Sequence, residues 1–324
     1  MGEFELIERF FKRPARRVAL GVGDDCALLS PAPGTQLAVS CDMLVSGRHF
    51  LPDVEPAHLG HKALAVNLSD LAACGAKPLA FTLALALPEA DEAWLAGLAR
   101  GLFALADAHG CELIGGDTTR GPLNLCITVF GEVPVQEGRS LALLRSGART
   151  GDELYLSGSV GDARLALDMM QGRVAVDQQA LAALRVRLEQ PVPRVALGMA
   201  LRGVASSAID ISDGLLGDLG HVLEASGVGA CVETGWVMGS AATSAALKAA
   251  GEARALRCAL SGGDDYELLF SAPTGARAAV RAAALASGTP VTPIGHIEAE
   301  PGLRLVDASG RPVTERYASF DHFA

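Results

Sequence analysis

The chain has 324 residues, half of them hydrophobic and only 5% aromatic, with 37 glycines. That length buries a sizeable core, most readily as two domains, and the composition is that of a globular protein rich in tight turns. A net charge of −10, with lysine only at Lys12, Lys62, Lys77 and Lys248, argues against nucleic acid as a partner, because phosphate-backbone binding needs clustered cations.

Phe4, Ile7, Phe10 and Phe11 recur at helical spacing and predict a short amphipathic helix ending near Arg13-Pro14. Gly21 to Asp25 reads as a turn into an apolar strand, Cys26 to Leu29; a turn at Pro31 to Gly34 leads to a second strand, Gln36 to Cys41, closing on Asp42. Pro56 opens a helix that runs to Ala73-Cys74 and stops at Gly75. A strand at Phe81 to Leu87 and a long helix from Asp91 to His109, capped by Gly110, come next. The apolar stretch Cys111 to Ile114 reads as a buried strand that delivers the turn Gly115-Gly116-Asp117-Thr118-Thr119-Arg120-Gly121, and Leu123 to Val133 is a further strand.

The order β-β-α-β-α-β-β with short connections predicts an α+β domain on a mixed or mostly antiparallel sheet. Around Arg145 to Gly151 the chain turns basic and small, which sets the expected boundary: domain 1–147, then a second α/β domain, 148–324. The second half opens with a strand at Glu153 to Leu156 and helices at Ala163 to Gln171, Gln178 to Leu188 and Arg194 to Leu201. A strand from Ser207 to Ile211 runs into Ser212-Asp213-Gly214 and a helix to Ala225. Helices near Ala241 to Ala250 and Ala276 to Ala286 bracket Leu260 to Phe270, and strands near Val291 to Ile297 and Leu303 to Val306 finish the fold. The seven cysteines lack any C-x-x-C pair and sit mostly in apolar runs, so they read as small core residues in a reducing compartment. With an acidic N-terminus and no apolar run of membrane-spanning length, the expectation is a cytoplasmic protein without a membrane partner.

Aspartate recurs at strand ends and in Gly/Ser turns: Gly23-Asp24-Asp25, Ser40-Cys41-Asp42, Asn67-Leu68-Ser69-Asp70, Gly116-Asp117, Asp210-Ile211-Ser212-Asp213-Gly214 and Ser261-Gly262-Gly263-Asp264-Asp265-Tyr266-Glu267. Each alone is compatible with a turn-forming Asp. Asp70 is the least ordinary, because it lies in an otherwise apolar helical run with Asn67 three residues before it on the same face. A carboxylate there is costly unless a cation meets it, and Lys62 and Lys77 lie outside the run; a cap or backbone bond is the alternative. An aspartate after Gly115-Gly116 cannot hold phosphate directly but can do so through a divalent metal, with neighbouring hydroxyls and Arg120 on the remaining oxygens. Oxygen ligands spread over several segments suit Mg²⁺ shared with substrate phosphates. His58 and His61 have no third zinc ligand nearby and read as helix-surface or packing residues. No Gly-Lys pair occurs, which excludes a P-loop, and no protein-kinase or G-x-S-x-G signature is present.

Taken in order, Gly21-Val22-Gly23-Asp24-Asp25-Cys26-Ala27, Ala65-Val66-Asn67-Leu68-Ser69-Asp70-Leu71-Ala72, Gly115 to Gly121 and Ser261 to Leu268 resemble the thiamine-monophosphate kinases of the aminoimidazole ribonucleotide synthetase superfamily. The resemblance extends from Gly2-Glu3-Phe4 to Phe320-Asp321-His322-Phe323. It implies a homodimer whose N-terminal domains pair through their sheets, and ATP-dependent conversion of thiamine monophosphate to thiamine diphosphate. It also implies that the second domain completes the active site. Carried over by position, Asp25, Ser40, Cys41, Asp42, Asp70, Asp117, Asp210 and Asp213 would hold several Mg²⁺ ions, with Asp70, Asp117 and Asp210 catalytic. Gly116, Asp117, Arg145 and Ser212 would contact ATP, and His49, Asp264 and Phe320 the thiamine phosphate. Cys41 stands where the family commonly has a hydroxyl residue, and Asp264 where it often has Glu. Such an acceptor is a phosphate monoester, mostly dianionic at neutral pH, so it needs no general base. The obstacle is repulsion between two anions, which metal ions remove.

Overall fold

The computed structural model of the chain describes residues 2–175, 177–239, 242–315 and 317, and divides into two compact units. The first comprises Met1–Leu71 and Ala76–Leu141, the second Ala72–Gly75 and Ala142–Ala324.

The first unit begins with α1 (Glu3–Leu6), continued by a π-helical turn over Ile7–Phe11. Then come β1 (Thr35–Val45), α2 (Pro56–Ala73), β2 (Lys77–Leu87), α3 (Glu92–His109), β3 (Glu112–Arg120), β4 (Asn124–Gln136) and the short β5 (Arg139–Ser140). The sheet order is β1-β4-β2-β3, with β5 pairing β4; only β2 and β3 run parallel, so the sheet is mixed as expected. The caps of α3 explain why that helix is legible in sequence. Asp91 accepts hydrogen bonds from the N–H groups of Ala93 and Trp94, and Gly110 closes the helix in the left-handed conformation. Helices α2 and α3 meet backbone to backbone: a Cβ on Gly101 would lie 1.8 Å from the Ala57 carbonyl oxygen. Leu64, Leu68, Leu71, Phe81, Leu98 and Ile127 are buried between helices and sheet, each worth about 1.5–3 kcal/mol of transfer free energy.

Two expectations for this unit need correction. Cys26 to Leu29 is not a strand; Leu28 makes an isolated antiparallel bridge with Leu20, because the stretch has no partner strand to extend along. Gly115 to Arg120 is not a turn after a strand but the second half of β3. Gly116 lets β3 close on β2: it has φ 146°, and a Cβ there would lie 1.9 Å from the Leu83 carbonyl oxygen. A bulge between Phe81 and Thr82 takes up the register.

The second unit holds β6 (Glu153–Ser157), α4 (Asp162–Met170), α5 (Gln178–Glu189), α6 (Val195–Ala200), β7 (Ser207–Asp210), α7 (Leu215–Ser226), β8 (Gly229–Glu233), α8 (Thr234–Val237), α9 (Ala245–Ala249), α10 (Glu252–Ser261), β9 (Leu268–Ala272), α11 (Arg277–Ser287), β10 (Val291–Glu298) and β11 (Gly302–Val306). Its sheet order is β11-β8-β10-β6-β9-β7, antiparallel except for β11 beside β8. Alternate strand residues Leu154, Leu156, Ile209, Val232 and Leu269 pack against Leu215, Leu219 and Val222 of α7 in the core. Four elements, β8, α8, α10 and β9, are absent from the sequence reading.

Candidate functional site

In the first unit the predicted residues form two groups. At β1, the Ser40 hydroxyl donates to the Asp70 carboxylate on α2. One turn earlier, Asn67, only 1% exposed, accepts the Asp42 N–H at 3.0 Å and donates to the Ala63 carbonyl at 3.0 Å. The face shared by Asn67 and Asp70 is therefore real and is turned to β1. His49 follows β1 closely: its Nδ1 accepts the Val45 N–H at 3.0 Å, and its carbonyl accepts from buried Lys62 at 3.3 Å. Nδ1 is thus an acceptor, and the neutral ring carries its proton on Nε2. Lys77 pairs with Glu132 at 3.3 Å. Strand alternation sends the exposed Cys41 side chain to the face opposite Ser40 and Asp42, where its sulfur lies 3.4 Å from that of Cys126. The Cys41 side chain is therefore not turned toward Ser40 and Asp42. Cys26 and Cys74 are exposed as well, contrary to a core reading, while Cys111, Cys231 and Cys258 are buried; none of the seven is in a disulfide.

The second group lies at β3. Asp25, Gly116 and Asp117 line one cavity of about 670 Å³, walled by Phe4, Ile7 and Phe11 of the N-terminal helix. The acid pair is ordered internally, Asp24 accepting the Asp25 N–H at 2.8 Å. Asp42, Ile127, Leu83 and Gly116 share one row across the sheet, with β1 and β3 at its two edges. Three strand spacings separate the two groups by roughly 14 Å.

In the second unit, β7 and β9 pair antiparallel with Asp210 opposite Leu268, so the loops at their ends meet. Ile211 N–H donates to the Glu267 carbonyl at 2.9 Å, Tyr266 N–H to Ile211 at 2.8 Å and Asp264 N–H to Ser212 at 2.9 Å. Asp210, Ser212, Asp213 and Asp264 are thereby held in one loop cluster, although 54 residues separate Asp210 from Asp264. Asp264 and Tyr266 take positive φ, 68° and 51°, a conformation that Asp tolerates better than Tyr and that is held here by those backbone bonds. The N–H groups of Ser212 and Asp213 both donate to Asp218, at 3.0 and 3.1 Å. Burial raises the Asp218 carboxyl to about 6, with the nearby Asp213 charge adding to the rise. Arg145 sits in a loop tied by Ser226, whose hydroxyl donates to the Arg145 carbonyl at 3.2 Å and accepts the N–H groups of Gly147 and Ala148. Phe320 lies outside the described residues.

Several functional supports escaped the sequence reading. Glu267, fully buried, takes Arg187 at 2.9 Å, Arg194 at 2.5 Å and the Ser157 hydroxyl at 2.6 Å. Next to it, Asp265 accepts the Gly161 N–H at 2.9 Å, and burial pushes its carboxyl well above the usual range. The acid run Asp264-Asp265-Tyr266-Glu267 carried a signal; the arginines and Ser226 did not. Asp218 was findable from its place in the first turn of a helix after Asp213.

Three comparisons bear on these loops. The family described as "AIR synthase related protein, N-terminal domain" matches residues 23–133, and its C-terminal counterpart residues 149–308. A thiamine-monophosphate kinase of Salmonella typhimurium is 48% identical over 328 aligned positions, covering 100% of this chain and 98% of that protein. The crystal structure of a thiamine-monophosphate kinase from Stenotrophomonas maltophilia superposes with a TM-score of 0.83 at 44% identity, covering 96% of each chain. A structure of AaThiL complexed with AMPPCP and TMP gives 0.77 at 27% identity over 91% of this chain and 89% of that one.

Proposed function

This chain belongs to the AIR synthase related protein family, and from that premise we propose that it transfers the γ-phosphoryl group of ATP to thiamine monophosphate, giving thiamine diphosphate and ADP. The observation that carries the reading is identity of 48% to a thiamine-monophosphate kinase across the whole chain, joined to the acid-bearing loops described above.

The donor set fits a hard cation. Ser40, Asp42, Asp70, Asp25 and Asp117 in the first unit, and Asp210 and Asp213 in the second, offer oxygen ligands. Asp70 occupies a helix whose neighbours Val66, Leu68 and Leu71 are buried. Bound there, Mg²⁺ would neutralise phosphate charge and leave the acceptor free to approach the donor. Ser40 orients the Asp70 carboxylate, and Asn67 fixes the Asp42 backbone. Gly116 admits a phosphate against the β3 backbone, and Arg145 and Ser212 hold nucleotide oxygens. His49 and Asp264 contact the thiamine phosphate. A phosphate oxygen of the acceptor forms the new bond to the γ-phosphorus as the bond to the β-phosphate oxygen breaks, and no side chain is phosphorylated.

Strand β1 supports pairing of two chains: Leu37, Val39, Met43 and Val45 are exposed on one face at 38–56%, an apolar row that a second copy covers. Among the described residues no helix is long and apolar enough to cross a membrane, and seven scattered cysteines without a disulfide suit the reducing cytoplasm.

Incubation with ATP, Mg²⁺ and thiamine monophosphate is expected to yield thiamine diphosphate and ADP in equal amounts, with inversion at a chiral γ-phosphorus and no turnover after chelation. Retention of configuration would replace direct transfer with a phosphoenzyme route, and nucleotide binding without product would leave a sensor instead of an enzyme.

A further inference from the structure

Strands β10, β8 and β11 carry a cluster that none of the proposed chemistry uses. On β8, Ala230 and Val232 point into the core, so alternation turns Cys231 to the other face of the sheet. Register places His296 of β10 opposite Cys231 on one side and Arg304 of β11 opposite it on the other, with Glu298 two residues beyond His296. One donor atom each from Cys231, His296 and Glu298 lies within 4.8 Å of the others. The two oxygens of Glu298 are divided: one lies 3.3 Å from His296 Nε2, the other accepts from Arg304 Nε. Arg304 is itself anchored to the Glu300 carbonyl at 2.7 Å.

We propose that Cys231, His296 and Glu298 bind one borderline-soft divalent cation of the Zn²⁺ class. A tetrahedral ion with bonds of about 2.0 Å to nitrogen and oxygen and about 2.3 Å to sulfur holds its donors roughly 3.3–3.5 Å apart. The imidazole–carboxylate spacing already matches, and the thiol closes the remainder by side-chain rotation. Sulfur and imidazole donors select zinc over magnesium, which prefers oxygen alone. Arg304 plays the outer-sphere part that orients a ligating carboxylate. The imidazole of His296 is half exposed, which gives the ion an entry path and water a fourth position. The site is separate from the Asp210 loops, since β6 and β9 stand between β10 and β7 in the sheet. Its effect is to staple β8 to β10 across the sheet.

The test uses the full chain, stripped with chelator and returned to excess Mg²⁺ so that oxygen-only sites are filled, then titrated with Zn²⁺ against a chromophoric competitor and separately with Co²⁺. One zinc per chain is expected, and cobalt should give a thiolate charge-transfer band. Cys231→Ser should abolish that band, His296→Ala should remove zinc binding, and Arg304→Gln should weaken it about 10-fold. His296→Ala alters an exposed side chain and keeps the test decisive if Cys231→Ser melts early. No zinc uptake by the wild type, or unchanged uptake and cobalt spectrum in both ligand variants, would overturn the proposal.

Discussion

Asp70→Asn is expected to lower kcat by about 100- to 1,000-fold, the size of losing one preorganised electrostatic contact in a transition state, while the melting temperature stays near that of the wild type. The substitution keeps the shape of the side chain, and an asparagine Oδ1 still accepts the Ser40 hydroxyl that now reaches the carboxylate. What it removes is the negative charge that holds a cation. A purely structural Asp70, satisfied by Ser40, would tolerate the change with near-normal turnover. Steady-state rates over a range of Mg²⁺ concentrations, beside a thermal melt, separate the two: full activity in the variant returns Asp70 to a structural role, and a collapse of stability does the same.

Glu267→Gln is expected to act the other way, on stability. The wild-type carboxylate is fully buried between Arg187, Arg194 and Ser157. Removing its charge leaves two largely buried guanidinium groups without their counter-ion, a class of change that costs about 3–5 kcal/mol. For a unit of this size that is a fall in melting temperature of roughly 10 °C. Because the Glu267 carbonyl also pairs with the Ile211 N–H and Asp264 lies three residues earlier, the loop cluster should loosen with it, seen as faster amide exchange at Ser212 and Asp264. A melting point within about 2 °C of the wild type, about 0.5–1 kcal/mol for a unit of this size, would show the ion cluster to be incidental.

The helices of the first unit were readable because their ends are marked by local chemistry: Pro56 opens α2, while Asp91 and Gly110 bracket α3. The strand starting at Lys77 was read four residues short, since Pro78 cannot donate to a ladder and the register slips just after it. The glycine pair of β3 looked like a turn because the need for Gly116 arises from β2, which sequence spacing does not show. In the second unit β8 was hidden because Gly227 and Gly229 lead into an apolar run of only three residues, Ala230 to Val232, and α10 because its buried face is made largely of small residues, Ala255, Cys258 and Ala259. The acid motifs themselves stood out as an expensive residue type in apolar surroundings. Their grouping did not: Asp210 meets Asp264 only through the β7–β9 pairing, and Asp42 and Asp117 sit at opposite edges of one sheet. Glu267 was visible, but its arginine partners come from α5 and the loop before α6, which no local pattern connects to it.

Carboxylate-held cations are tested most directly by crystals grown with Mn²⁺ in place of Mg²⁺, a non-hydrolysable ATP analogue and thiamine monophosphate. Anomalous difference peaks are expected at coordination distance from Asp42, Asp70, Asp117 and Asp210, each shared with a phosphate oxygen. Manganese found only on the nucleotide, with those four side chains bonded to protein or water alone, would contradict the role given to them.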